Sequence, residues 1–133
     1  MKKFVFTAST LVLALSLAGC ASGPKTYATV ADLESAYVSA GGVCDNSAPV
    51  DTSAFTADNK DLQGLTGVSC ANDVGMFVFP SNKARDYFVA LVETAAKAAT
   101  SSVHMVIGEK WMVAGVSLDN KKIAEPLGGT ARN

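Results

Sequence analysis

Apolar positions along the 133-residue chain form one long run, then a sparse region, then a series of shorter patterned stretches. Phe4 to Ala18 is apolar except for Thr7, Ser9, Thr10 and Ser16, and Lys2 and Lys3 precede it. About 15 residues fall short of the ~20 that a membrane-spanning helix needs, but they match the core of an export signal. Residues 21–28 are small and polar and contain Gly23 and Pro24, which predicts a flexible tether. Leu33, Ala36, Tyr37 and Ala40 then recur at helical spacing. Thr29, followed three residues later by Asp32, marks the start of this helix, and Gly41-Gly42 marks its end.

From Cys44 to Gly64 large apolar residues are few, and the stretch reads as a long loop. Its Asp45, Asp51, Asp58 and Asp61 lack the alternating oxygen ligands and the glycine of a calcium loop, so a solvated loop is the better reading. Beyond it, residues 65–71 (LTGVSCA) and 75–80 (GMFVFP) predict two strands around a turn at Asn72-Asp73. Ala84, Tyr87, Phe88, Leu91, Val92 and Ala95 follow the i, i+3, i+4 rule, which predicts a helix over 82–99 capped by Ser81-Asn82. Residues 102–107 and 110–116 predict a second hairpin turning at Gly108-Glu109. A last helix is expected from a cap at Ser117, ended by Pro126 and Gly128-Gly129. The predicted class is α+β: an N-terminal helix, then two ββα units forming a four-stranded antiparallel sheet with helices packed on it.

The apolar run ends in Leu17-Ala18-Gly19-Cys20, a Leu and two small residues before a cysteine, which resembles the lipobox of bacterial lipoproteins. That resemblance implies a lipid on the Cys20 thiol and cleavage between Gly19 and Cys20. Residues 1–19 are then a lipoprotein signal peptide, 20–28 the lipidated cysteine and tether, and 29–133 a single small α+β domain. An ordinary secretory signal with a chance cysteine is the plainer alternative. The resemblance also implies a location: the cell membrane or the outer membrane, lipid-anchored and facing away from the cytoplasm. Ala21 occupies the position where many lipoproteins of two-membrane cells carry the Asp that retains them in the inner membrane, so outer-membrane sorting is permitted.

Cysteine number follows from the same assignment. Of three cysteines, a lipidated Cys20 leaves Cys44 and Cys70 to pair in an oxidising compartment. Two cysteines and one distant histidine have no recognisable zinc-ligand spacing, so no metal is expected.

Charge and motif content narrow the function. Loss of Lys2 and Lys3 leaves nine basic against twelve acidic residues, a net charge of about −3, without the clustered basic surface that nucleic acid requires. The single histidine, His104, lies in a strand-like stretch, with no nucleophile-elbow serine, paired carboxylates or Gly-Lys-Ser/Thr phosphate loop elsewhere. Neither an enzyme nor a cofactor is the expectation. Apolar residues on both faces of the predicted sheet point instead to recognition. Met76, Met112 and Trp111, with His104 nearby, are the candidate binding surface for an unknown protein or ligand. The competing reading is that the first helix and the disulfide loop cover that face.

In layout the mature part is similar to small uncharacterised lipoproteins of actinobacterial type, on the paired cysteines and the late Gly108-Glu109-Lys110-Trp111-Met112-Val113 strand. The leading expectation is a membrane-anchored, non-enzymatic envelope lipoprotein with a small extracytoplasmic binding domain. A phage- or prophage-encoded superinfection-exclusion lipoprotein and a purely structural envelope component are its alternatives.

Overall fold

The computed structural model describes residues 23–133; Cys20 and the apolar run before it lie outside the described residues. Among the described residues, four helices and one six-stranded antiparallel sheet make an α+β fold. The chain runs α1 (Val30–Ser39), β1 (Ala48–Pro49), α2 (Ser53–Thr56), a 3-10 turn (Lys60–Leu62), β2 (Thr66–Ser69), β3 (Val74–Val78), α3 (Asn82–Ala98), β4 (His104–Gly108), β5 (Trp111–Gly115), α4 (Asn120–Leu127) and β6 (Thr130–Arg132). In space the strands lie in the order β1-β2-β3-β5-β4-β6.

The expected four strands form the middle of the sheet, and the expected count is corrected to six by one short strand at each edge. On one side Ala48 and Pro49 pair with Ser69 and Val68. On the other, Thr130, Ala131 and Arg132 pair with Ile107, Val106 and Met105. A proline lacks the N–H a central strand must donate, and an edge strand tolerates it.

Local chemistry explains most element boundaries. Thr29 accepts a hydrogen bond from the Asp32 backbone N–H, while the Asp32 carboxylate accepts from the Thr29 N–H, completing a capping box on α1. Ser81 caps α3 by accepting from the Ala84 N–H at 3.1 Å. The cap of α4 is Asp119, which accepts from the Lys122 N–H, and not the expected Ser117. Pro126 sits within the last turn of α4, and the helix closes at Gly128, where φ is +70°. The β4–β5 turn is Glu109-Lys110, one residue later than expected, with Lys110 at φ +60°. Gly108 is needed inside the strand because a Cβ there would overlap the Trp111 indole.

Strand alternation delivers side chains to two separate cores. Val74, Met76, Val106, Trp111 and Val113 face α1 and α4, meeting Leu33, Tyr37, Ile123, Ala124 and Leu127. Phe79, Met105 and Met112 face α3, meeting Ala84, Phe88 and Val89, with Leu62 and Leu65 closing the edge. The α3 stripe is rotated from the predicted one: Val89 is buried, whereas Tyr87 and Leu91 are 46% and 41% exposed. The i, i+4 row Ala84-Phe88-Val92 makes the contact, and Tyr87-Leu91-Ala95 flanks it on the solvent side.

Helices on opposite faces follow from the connections. β3 and β4 run parallel with β5 between them, and β5 and β6 run parallel with β4 between them. The two crossovers step in the same direction along the sheet but begin on antiparallel strands. If both keep the preferred right hand, their helices must lie on opposite faces, as α3 and α4 do. Both apolar faces are thereby covered.

Candidate functional site

Three of the four residues expected to form a binding surface do not reach solvent. Met76, Met112 and Trp111 each have 0% exposure, because α1 and α4 cover one face and α3 the other. This corrects the expected apolar groove. His104 alone keeps access to solvent, half-buried at the first position of β4.

His104 opens onto a cleft of about 520 Å³ between the C-terminal half of α3, the α3–β4 loop and the end of β6. Its charged, imidazole and amide groups come from three elements: Glu93 and Lys97 from α3, His104 from β4, Arg132 and Asn133 from the final segment. The Arg132 Nε lies 2.8 Å from the Glu93 Oε1, tying β6 to α3 across the cleft. Behind them Asn120, only 4% exposed, directs its Nδ2 toward the Met105 carbonyl at 3.3 Å, the Arg132 carbonyl at 3.0 Å and the Asn133 Oδ1 at 2.8 Å. The Asn133 Oδ1 also lies 2.9 Å from the His104 Nδ1. An amide oxygen only accepts, so the His104 Nδ1 carries a proton in this arrangement.

The cleft therefore offers two cations, one carboxylate and an imidazole within one concave surface. Such a set suits a small polar ligand or a polar loop of a partner. Ser101 and Ser102 line the same cleft, and among the described residues no hydrogen bond joins either to His104. No group of three or more His, Cys, Asp or Glu among the described residues is placed to hold a metal ion. The sequence pattern singles out His104 but not Glu93, Arg132 or Asn133. The late Arg-Asn pair carries no local signal, since only the β6 pairing brings it to His104.

Cys44 and Cys70 are joined by a disulfide with Cα atoms 4.9 Å apart, as the cysteine count predicts. The bridge pins the start of the 44–64 segment to the β2–β3 turn, where the Ala71 N–H also bonds the Asp45 carbonyl and the Asn72 side chain bonds the Val43 carbonyl. That segment is less loose than expected: it holds β1, α2 and the 3-10 turn, and it buries Leu62, with Leu65 buried just beyond it.

A further departure concerns the expected tether, whose described part is docked. The Lys25 carbonyl accepts from the Trp111 indole Nε1 at 2.8 Å, and the Lys25 ammonium reaches the Pro126 carbonyl at 2.9 Å. The Tyr27 hydroxyl donates to the Leu127 carbonyl at 3.0 Å, and its ring stands edge-on to Trp111 at 5.3 Å. These contacts satisfy the otherwise unpaired carbonyls at the end of α4 and put a cation where the helix dipole is negative. Burial raises the Tyr27 phenol above its usual range.

No helix among the described residues is long and apolar enough to cross a membrane. Compared with protein-family models, with curated proteins and with solved structures, the chain matches none of them.

Proposed function

We propose that the chain is a bacterial lipoprotein: a small extracytoplasmic domain, held to the envelope by a lipid on Cys20, that binds a polar partner through the His104 cleft without catalysing a reaction. The observation that carries this reading is the Cys44–Cys70 disulfide. It accounts for two of the three cysteines, it belongs to an oxidising compartment, and it leaves Cys20 as the one cysteine over, in the Leu17-Ala18-Gly19-Cys20 context. Two or three acyl chains anchor firmly, at about 0.8 kcal/mol per buried methylene.

The cleft replaces the buried Met76–Trp111–Met112 surface as the recognition element. Its half-exposed imidazole and the Glu93–Arg132 pair are polar groups that a partner can reach.

The test joins labelling to binding. Wild-type chain grown with labelled palmitate should carry the label and float with membranes, whereas Cys20→Ser should carry none and keep residues 1–19. Label retained by Cys20→Ser, or an unlabelled wild type, refutes the anchor. Photo-crosslinking from Ser102 in the native envelope should give an adduct that Arg132→Glu and His104→Ala abolish, and an adduct indifferent to both refutes the cleft.

A further inference from the structure

With Cys20 anchored as proposed, the docked N-terminal segment constrains more than Trp111: it constrains how the domain stands on a membrane, a consequence that rests on that anchor. From Cys20 to Gly23 the chain has three Cα steps, a reach of at most about 11 Å, and from Cys20 to Lys25 five steps, about 18 Å. Lys25 is itself fixed at both ends: its carbonyl holds the Trp111 indole and its ammonium holds the Pro126 carbonyl. The lipid therefore leaves the domain from one defined place, beside the end of α4.

Strand registers show which end of the sheet that is. Trp111 pairs with Gly108 and with Val78, Val78 with Thr66, and Ile107 with Thr130, so these residues and the Glu109-Lys110 turn share the end where Lys25 docks. Gly115 pairs with His104 and Val74, and Arg132 with Met105, so His104, Arg132 and the disulfide-bearing β2–β3 turn mark the opposite end. Four strand steps separate His104 from Gly108, about 13 Å.

We propose that the anchored domain stands on the bilayer in one orientation, with the Lys25–Trp111 end against the lipid headgroups and the His104 cleft turned away from them. The surface meeting the headgroups comprises Lys25, the Glu109-Lys110 turn and the exposed Glu125 beside Gly23 and Pro24. Its charges nearly cancel. Tether length rather than electrostatic attraction thus sets the orientation, and anionic lipid content and salt have little influence on it.

The experiment uses acylated full-length protein in vesicles of phosphatidylethanolamine and phosphatidylglycerol bearing rhodamine-labelled headgroups. A coumarin-bearing residue replaces either Glu109, at the docked end, or Ser101, at the cleft, both exposed. Energy transfer to the headgroups should be severalfold greater from position 109 than from position 101. Inserting a Gly/Ser spacer of about 15 residues between Ser22 and Gly23, which adds roughly 20 Å of reach, should bring the two positions close to parity. Equal transfer from both positions without the spacer, or a difference that the spacer leaves intact, overturns the orientation while protein still floats with the vesicles. Protein that lacks the acyl mass on Cys20 and does not float defeats the anchor itself, and the orientation with it.

Discussion

At one end of the sheet Trp111 lies beneath Tyr27 and between Gly108 and Gly129, with its indole N–H given to Lys25. At the other end His104 lies half-buried at the rim of a cleft with Arg132, Glu93 and Lys97. The same pair of strands supplies both residues, since Gly108 faces Trp111 and His104 faces Gly115. What differs is the source of hydrogen-bond partners. The Trp111 end borrows them from a segment 86 residues away in sequence, which takes up the indole N–H. The His104 end satisfies one imidazole nitrogen internally through Asn133 and leaves charged groups at the rim. One end is built for closure and the other for contact.

Losing the Trp111 indole from the closed end should cost most. Trp111→Ala removes a fully buried indole and should destabilise by about 3–5 kcal/mol in a denaturant titration followed by circular dichroism. Gly108→Ala, which forces a methyl into the indole without removing it, should cost about 1–3 kcal/mol. At the open end, replacing both Cys44 and Cys70 with Ala releases a loop of 26 residues' separation. The chain-entropy account gives a loss of about 3.5 kcal/mol. Peptide mapping without reductant should show the two cysteines linked, and free thiols at both would contradict the bridge.

Smaller changes sharpen the contrast. Asn120→Ala strips the buried donor from the Met105 and Arg132 carbonyls and should cost about 1–3 kcal/mol. Tyr27→Phe removes one hydrogen bond to the Leu127 carbonyl, about 1 kcal/mol. Its pH dependence has a definite sign. Burial raises the Tyr27 phenol above 10.0, its usual value, so the unfolded chain loses that proton first. The contribution is complete below pH 10.0 and declines as pH rises through the folded-state value, and Tyr27→Phe should flatten that decline. Burial also raises Tyr37, partly offset by hydrogen bonds from the Val43 backbone and the Asn72 side chain, so some alkaline loss persists in the variant. His104→Gln should change stability least, within about 0.5 kcal/mol, while weakening whatever the cleft binds.

Sequence carries the parts of the fold whose signals are local. Thr29 with Asp32, Ser81 before its helix, and the Asn72-Asp73 turn each act within a few residues, and each sits where the pattern predicts. Asp73 takes φ +61° in that turn. The edge strands are not legible: Ala48–Pro49 and Thr130–Arg132 are too short for alternation to show, and they exist only through pairing with distant strands. The docked segment misleads for a related reason. Small polar residues with Gly23 and Pro24 have the composition of a linker, and its partners Trp111, Pro126 and Leu127 lie far along the chain. Apolar residues on both faces of β3 and β5 suggest an exposed surface, although strands covered on both sides carry that same pattern. Of the candidate site, His104 alone is visible in sequence, because the cleft is assembled from three elements by tertiary packing.

The closed end is tested most directly by hydrogen exchange at the Trp111 indole N–H. The chain has one tryptophan, so a single indole resonance reports on it. Bonded to the Lys25 carbonyl and fully buried, it should exchange orders of magnitude more slowly than free indole, and deleting residues 23–27 should remove most of that protection. An indole N–H that exchanges like an exposed one in the intact chain, or that keeps its protection after the deletion, would contradict the docking of the N-terminal segment.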